Sequence, residues 1–192
     1  AGGLGTGIVT NGHLLQGASG MAGEFGHISL RADGRKCPCG NRGCLEQYAS
    51  DTALCRLYAE KSGIAGDGAP DASTIVKMAR EGDPVAARVL KSAAFDLGLG
   101  FVNLVWVFNP EAIVLGGFYA EAWDLIEETI WDVLRSRAPN YILSDVRIYP
   151  STHAADSSLL GAASLVFSHF FTRFEHGEEE GAPRSVFMHA SA

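Results

Sequence analysis

The stretch Gly23–Glu46 constrains this chain more than any other. It reads G-E-F-G-H-I-S-L-R-A-D-G-R-K-C-P-C-G-N-R-G-C-L-E. Three of the four cysteines fall in it, at Cys37, Cys39 and Cys44, and His27 lies ten residues before the first. Thiolate and imidazole are ligands that Zn²⁺ accepts, and four of them close a tetrahedral structural site. Gly34, Gly40 and Gly43 let a short loop fold back tightly enough for the four to converge. The reading is a structural zinc on His27, Cys37, Cys39 and Cys44, in a loop spanning 27–44. Glu24 and Glu46 bracket that loop, so two carboxylates stand near a metal-fixed imidazole, and the zinc props up a polar binding site. The other reading of the cysteines is a disulfide or buried thiols. Cys37 and Cys39 are too close in sequence to pair well with each other, and nothing in the chain resembles a secretory signal, so an oxidising compartment has no support.

Composition narrows the class. The 192 residues are 47% hydrophobic and 19% charged, enough for one globular domain with a real core. Mean hydropathy is near zero, and no apolar run is read as reaching the length of a bilayer crossing, so no membrane partner is expected. The formal net charge is −7. DNA-binding modules are ordinarily basic, because phosphate neutralisation supplies much of their affinity. These residues alone are not expected to grip nucleic acid. The chain begins Ala1-Gly2-Gly3, inside what reads as a Gly-rich strand, which leads us to expect a piece of a longer protein.

The pattern G-x-x-G-x-A-G-E-x-G-H followed by C-x-C-G-x-x-G-C-L-E resembles the ROK family, which joins sugar-responsive repressors with sugar kinases. It is carried here by Gly17, Gly20, Ala22, Gly23, Glu24, Gly26 and His27, then Cys37, Cys39, Gly40, Gly43, Cys44, Leu45 and Glu46. A weaker match runs through Asn109-Pro110 and Gly116-Gly117 to Gly161-Ala162-Ala163, covering about residues 1 to 170. The resemblance implies an α/β fold, the actin-like, ribonuclease-H-like lobe with a mixed sheet, long flanking helices and a zinc loop. It implies that Glu24, His27 and Glu46 contact sugar hydroxyls and that His27 also binds the zinc. It further implies a cytoplasmic homodimer or higher homo-oligomer. Any helix-turn-helix module, and the lobe that would hold a kinase's catalytic Asp, would precede Ala1. The expected division is a sugar-binding lobe over 1–174 and an acidic, polar tail over 175–192.

Several local signals follow along the chain. Asn11-Gly12 marks a hairpin turn between Ile8-Val9 and His13-Leu14-Leu15. Phe25, Ile28 and Leu30 suggest a strand. Apolar residues from Leu45 past Tyr58 suggest one helix with Glu46 in its first turn, where a carboxylate suits the helix dipole. Cys55 reads as a packed thiol on that helix. Ser73 is expected to cap a helix through Arg80. Asp83 at the cap and Pro84 at the first helical position open a long helix to about Phe108. Its glycines, Gly98 and Gly100, are expected to admit close neighbours, and Lys91 and Asp96 argue against a membrane span. Ala112–Leu115 reads as a buried strand, 121–137 as an amphipathic helix, 146–149 as a strand and 154–170 as a terminal helix. His153 and His169 lack metal-spaced partners, and Glu178-Glu179-Glu180 reads as a solvated charge run.

Two functions compete. The first is the zinc-stabilised effector lobe of a sugar-responsive repressor, binding a sugar or sugar phosphate and controlling DNA through a module outside these residues. The second is the C-terminal lobe of a sugar kinase using ATP and Mg²⁺. Two departures from the family's nucleotide-facing motifs favour the first. Gly2 stands where the kinases' loop usually has Thr, and Phe118 replaces the third of three glycines, where a ring should hinder a nucleotide. No catalytic residue is assigned within this chain. A zinc-stabilised interaction domain without a sugar ligand is the third possibility.

Overall fold

The computed structural model describes residues 2–64, 68–152, 161 and 185–190, the last six by their backbone. Strand β1, Leu4–Thr10, turns back into β2, His13–Leu14, with Val9 opposite Leu14. Asn11 and Gly12 both take positive φ, 52° and 75°, as a two-residue hairpin turn that follows strand twist requires. Strands β3, Ala112–Leu115, and β4, Arg147–Pro150, run parallel. Between the hairpin and this pair lies β5, Ser185–Ala190, antiparallel to β1 and parallel to β3. The order is β2-β1-β5-β3-β4. A stretch whose composition reads as a polar tail thus supplies the middle strand. The charge run at Glu178–Glu180, both histidines at 153 and 169, and nearly all of the terminal helix expected over 154–170 fall outside the described residues.

Helices α1, Glu46–Ala49; α2, Asp51–Ser62; α3, Ala72–Arg80; and α4, Pro84–Phe108, precede β3. Then α5, Gly117–Glu121; α6, Trp123–Arg137; and α7, Asn140–Leu143, lead into β4. Helix α4 starts as its sequence dictates. The Asp83 carboxylate accepts the backbone N–H of Val85 and of Ala86, both at 2.8 Å, and Pro84 follows it. Asn109 closes it in the left-handed region at φ 43°, one residue ahead of Pro110. Leu90, Leu97, Phe101 and Leu104 are buried in the core. A Cβ on Gly98 would come within 3.0 Å of Val133 on α6, and one on Gly100 within 2.6 Å of Leu45. Both glycines therefore admit neighbours that a methyl group would exclude. Helix α4 has the length and apolar content to cross a bilayer, against the first impression of the sequence, but 61% of its apolar stretch is buried inside this fold.

Four local expectations need correction. The helix from Leu45 onward is two, because Ser50 is extended at ψ 167° and its hydroxyl oxygen accepts the Ala53 N–H as a fresh cap. Helix α3 is capped by Asp71, which accepts the Thr74 N–H at 2.7 Å, and Ser73 lies inside it. The helix expected over 121–137 is preceded by the short α5, and Ala122 joins α5 to α6. Phe25–Leu30 is not a strand. Phe25–His27 is a 3-10 turn, and only Ser29 makes a single bridge, to Cys44.

Candidate functional site

Strand β1 is the platform of the site. Gly23, at φ 94°, and Gly26 lie directly on its backbone, where a Cβ would collide with the carbonyls of Thr6 and Leu4 respectively. Glycine at both positions presses the Glu24–His27 turn onto the strand. Glu46 reaches the same residue from the start of α1, and its Oε2 accepts the Leu4 N–H at 3.1 Å. Leu4 thus brings the turn bearing Glu24 and His27 together with Glu46. Glu24 is exposed, while His27 and Glu46 are half-buried.

The cysteine loop supplies the other side of His27. One donor atom from each of His27, Cys37, Cys39 and Cys44 lies within 4.8 Å of every other. Cys37 Sγ is 3.7 Å from His27 Nδ1, and Cys39 Sγ is 3.7 Å from Cys44 Sγ. A tetrahedral zinc with Zn–S bonds of about 2.3 Å sets its sulfurs roughly 3.8 Å apart. The donor set and its edges therefore fit such an ion, and the cluster can hold a metal. His27 Nε2 points the other way, 3.9 Å from Glu24 Oε2. Backbone bonds shape the loop: Cys37 N–H to Asn41 O at 2.9 Å, Gly40 N–H to Cys37 O at 3.0 Å, and Gly43 N–H to Arg35 O at 2.8 Å. Gly43, at φ 68°, lies against the Arg31 carbonyl, where a side chain would clash. Burial pushes the Cys44 thiol up to about 12, so a metal that takes its thiolate must displace a firmly held proton.

A model of the ROK family matches residues 1–169. The chain belongs to the ROK family. The xylose repressor of Bacillus spizizenii is 33% identical over 168 residues, taking in 88% of this chain and 42% of the repressor. Among solved structures, a ROK family transcriptional regulator, a homolog of the E. coli MLC protein, superposes at TM-score 0.70 with 31% identity, over 77% of this chain and 39% of that one. A ROK family glucokinase from Streptomyces griseus, in complex with glucose and AMPPNP, superposes at TM-score 0.74 with 32% identity, over 85% of this chain and 57% of the glucokinase. The chain spans less than two thirds of each of these relatives, and the described residues form the mixed α/β lobe that the ROK resemblance implied.

Two side chains that sequence reasoning passed over tie the ROK loop to the body of the lobe. Arg31 donates to the buried Asp96 of α4 at 2.6 Å and lies over the Tyr48 ring at 3.9 Å. Burial raises the Asp96 carboxyl, and the Arg31 charge opposes that rise. Arg35 forks onto Glu60 of α2 at 2.9 and 3.0 Å, and its backbone N–H donates to the Tyr48 hydroxyl. Gln47 Nε2 donates to Cys37 Sγ at 3.6 Å. A charged residue such as Asp96 within the apolar run of α4 was the available signal, since an isolated buried carboxylate needs a partner. Cys55 is half-buried against the core and stands apart from the donor cluster.

Phe118, expected to hinder a nucleotide, is turned into the core instead. Its ring is 3% exposed and packs 4.0 Å from that of Tyr119, whose hydroxyl donates to Ala49 O at 2.8 Å. A ring inside the core cannot obstruct a nucleotide outside it. Gly2 remains as the departure in the nucleotide-facing loop.

Proposed function

We propose that this chain is the zinc-stabilised, sugar-binding effector lobe of a ROK-type transcriptional regulator. The observation that carries the reading is the two-sided placement of His27, with Nδ1 toward the thiols and Nε2 toward Glu24 at 3.9 Å. That distance is too long for a direct hydrogen bond and leaves a polar gap between a donor and a carboxylate. A sugar hydroxyl in the gap accepts from Nε2–H and donates to Glu24. Glu46 keeps one oxygen on Leu4 and offers the other to a neighbouring hydroxyl. Zinc, on His27, Cys37, Cys39 and Cys44, supplies structural order and sets the imidazole tautomer. The loop then acts as a brace, and Arg31 passes its position to α4 through Asp96.

The similarity to xylose repressors and to the MLC homolog supports the regulator. Gly2 supports it too, because the loop lacks the hydroxyl that the kinases usually place near phosphate. Sugar binding would shift a two-state equilibrium of lobes or subunits and so control a DNA-binding module outside residues 1–192. In this reading the protein is a cytoplasmic homo-oligomer, the lobe expected over 1–174 takes in strand β5 at 185–190 as well, and aldoses such as xylose and glucose are the first ligands to try. The second reading is a glucokinase-like enzyme with ATP and Mg²⁺, supported by the glucokinase resemblance.

Calorimetric titration of the whole protein with sugars and sugar phosphates, with and without MgATP, separates the two. Saturable sugar binding without ADP formation is the expected outcome, and sugar-dependent ADP release would establish the kinase. Glu24→Gln should weaken sugar binding about tenfold, the order of one charged hydrogen bond. Its zinc content should stay unchanged, and an unaltered affinity would remove Glu24 from the site.

A further inference from the structure

We propose that Cys39 and Cys44 form an oxidisable pair, a disulfide-forming site for peroxide whose closure displaces the metal and releases His27. The proposal rests on the zinc reading above. The four cysteines differ in what surrounds them. Cys37 is buried and its sulfur lies within 4.8 Å of those of Cys39 and Cys44, but its shorter contacts are to His27 Nδ1 at 3.7 Å and Gln47 Nε2 at 3.6 Å. Cys44 is fully buried, and Cys39 is exposed. The sulfurs of Cys39 and Cys44 face each other at 3.7 Å. Cys55 lies outside the cluster. A peroxide arriving from solvent therefore meets Cys39 first, and Cys44 is the sulfur poised behind it.

The intervening loop, Gly40-Asn41-Arg42-Gly43, is built unevenly. Gly43 is pressed against the backbone of Arg31, which fixes the Cys44 end. Gly40 has φ 94°, and a Cβ there would meet nothing within 4 Å, so the Cys39 end has room to move. A disulfide bond of about 2.05 Å requires the sulfurs to close from 3.7 Å, a movement to be taken up at the open Cys39 end.

The chemistry balances without a further reagent. The Cys39 thiolate attacks one peroxide oxygen, the O–O bond breaks, hydroxide leaves, and Cys39 becomes a sulfenic acid. In the zinc-loaded protein Cys44 would already have lost its proton to metal binding; its thiolate attacks that sulfur, the S–S bond forms, the S–O bond breaks, and a second hydroxide leaves. Two thiolates have given two electrons to one peroxide. A closed structural site needs four ligands, and two are now spent. With no ion to join them, His27 Nδ1 would keep only the Cys37 sulfur at 3.7 Å, and a metal would no longer fix the direction of Nε2 toward the sugar.

The test uses the zinc-loaded protein. Zinc content is measured first, because its absence sinks the metal reading itself and is thereby distinguished from failure of the oxidation. Hydrogen peroxide is then added, zinc release is followed with a chromogenic chelator, and free thiols are alkylated before trypsin digestion and mass spectrometry. Cleavage after Lys36 and Arg42 separates Cys39 from Cys44. The expected product joins the 37–42 and 43–56 peptides through Cys39 and Cys44, with Cys37 and Cys55 alkylated. Zinc should leave in step with the cross-link, and dithiothreitol with added zinc should restore both the site and sugar affinity. Cys55→Ser should release zinc at the same rate. Retained zinc with every thiol alkylated, a cross-link through Cys37 or Cys55, or zinc loss without any cross-link would each overturn the proposal.

Discussion

The cysteine loop and helix α4 are joined by one ion pair, Arg31 to Asp96, yet different forces hold them. Helix α4 is ordered by apolar area, with Leu90, Leu97, Phe101 and Leu104 each at most 1% exposed. Full burial of each such side chain contributes about 2 kcal/mol. The loop has little of that. Leu30 is only partly buried, and most of residues 31–42 are exposed. Its order comes from backbone bonds, glycine turns and four converging donors. Its local stability is therefore separable from that of the helix, and regulation of the site can act on it without unfolding the lobe.

The largest effect should come from removing a donor. Cys39→Ser is expected to lose the metal and to weaken sugar binding roughly tenfold or more, as loss of metal support does elsewhere. Trypsin should then cut at Arg31, Arg35, Lys36 and Arg42 while the helical circular dichroism signal persists. Loss of loop and helix signal together would show that the two regions are one cooperative unit. Leu104→Ala tests the opposite end, and should cost about 3 kcal/mol in urea unfolding while zinc content is unchanged.

Arg31→Met cuts the link and leaves Asp96 buried without its cation. The expected cost is about 2 kcal/mol, discounted because Arg31 is 44% exposed. Burial already raises the Asp96 carboxyl, and loss of Arg31 should raise it further. The defect should shrink as pH falls and Asp96 becomes protonated. A pH-independent defect would assign it to lost contact with the Tyr48 ring instead.

The smallest effect is expected at Asp51, at the start of α2, whose carboxyl is pushed to about 6, chiefly by burial. Its Oδ1 is buried without a hydrogen-bond partner. The folded form holds its proton more tightly than the unfolded chain, so stability falls as pH rises from about 4 to 6 and stays reduced above. Asp51→Asn should stabilise the lobe by about 1 kcal/mol at pH 7, discounted for partial exposure, and by nothing near pH 3. Tm measured at both values decides it.

What could be read from the sequence follows the range of the interactions concerned. The donor set at His27, Cys37, Cys39 and Cys44 was visible because four metal-binding side chains in a glycine-rich loop have few other uses. Asp83-Pro84 was visible because a cap acts on the next three residues. Phe25–Leu30 misled because its apolar spacing resembles a pleat, whereas Gly26 must sit on the Leu4 carbonyl, a contact that no local pattern reports. Ser50 hid a helix break inside a continuous apolar face. Phe118 misled because which way a ring turns is settled by the core around Tyr119. Strand β5 escaped because its partners lie in β1 and β3, and in β1's case nearly the whole chain away.

That middle strand sets an order of assembly during synthesis. The β1–β2 hairpin and the framework of β3 and β4 leave the ribosome long before Ser185, and each then carries an open inner edge of unpaired N–H and C=O groups. The two halves become one sheet only when residues 185–190 have emerged. A nascent chain paused short of that point carries two sticky edges, so the risk of wrong pairing is concentrated in the interval before residues 185–190 emerge.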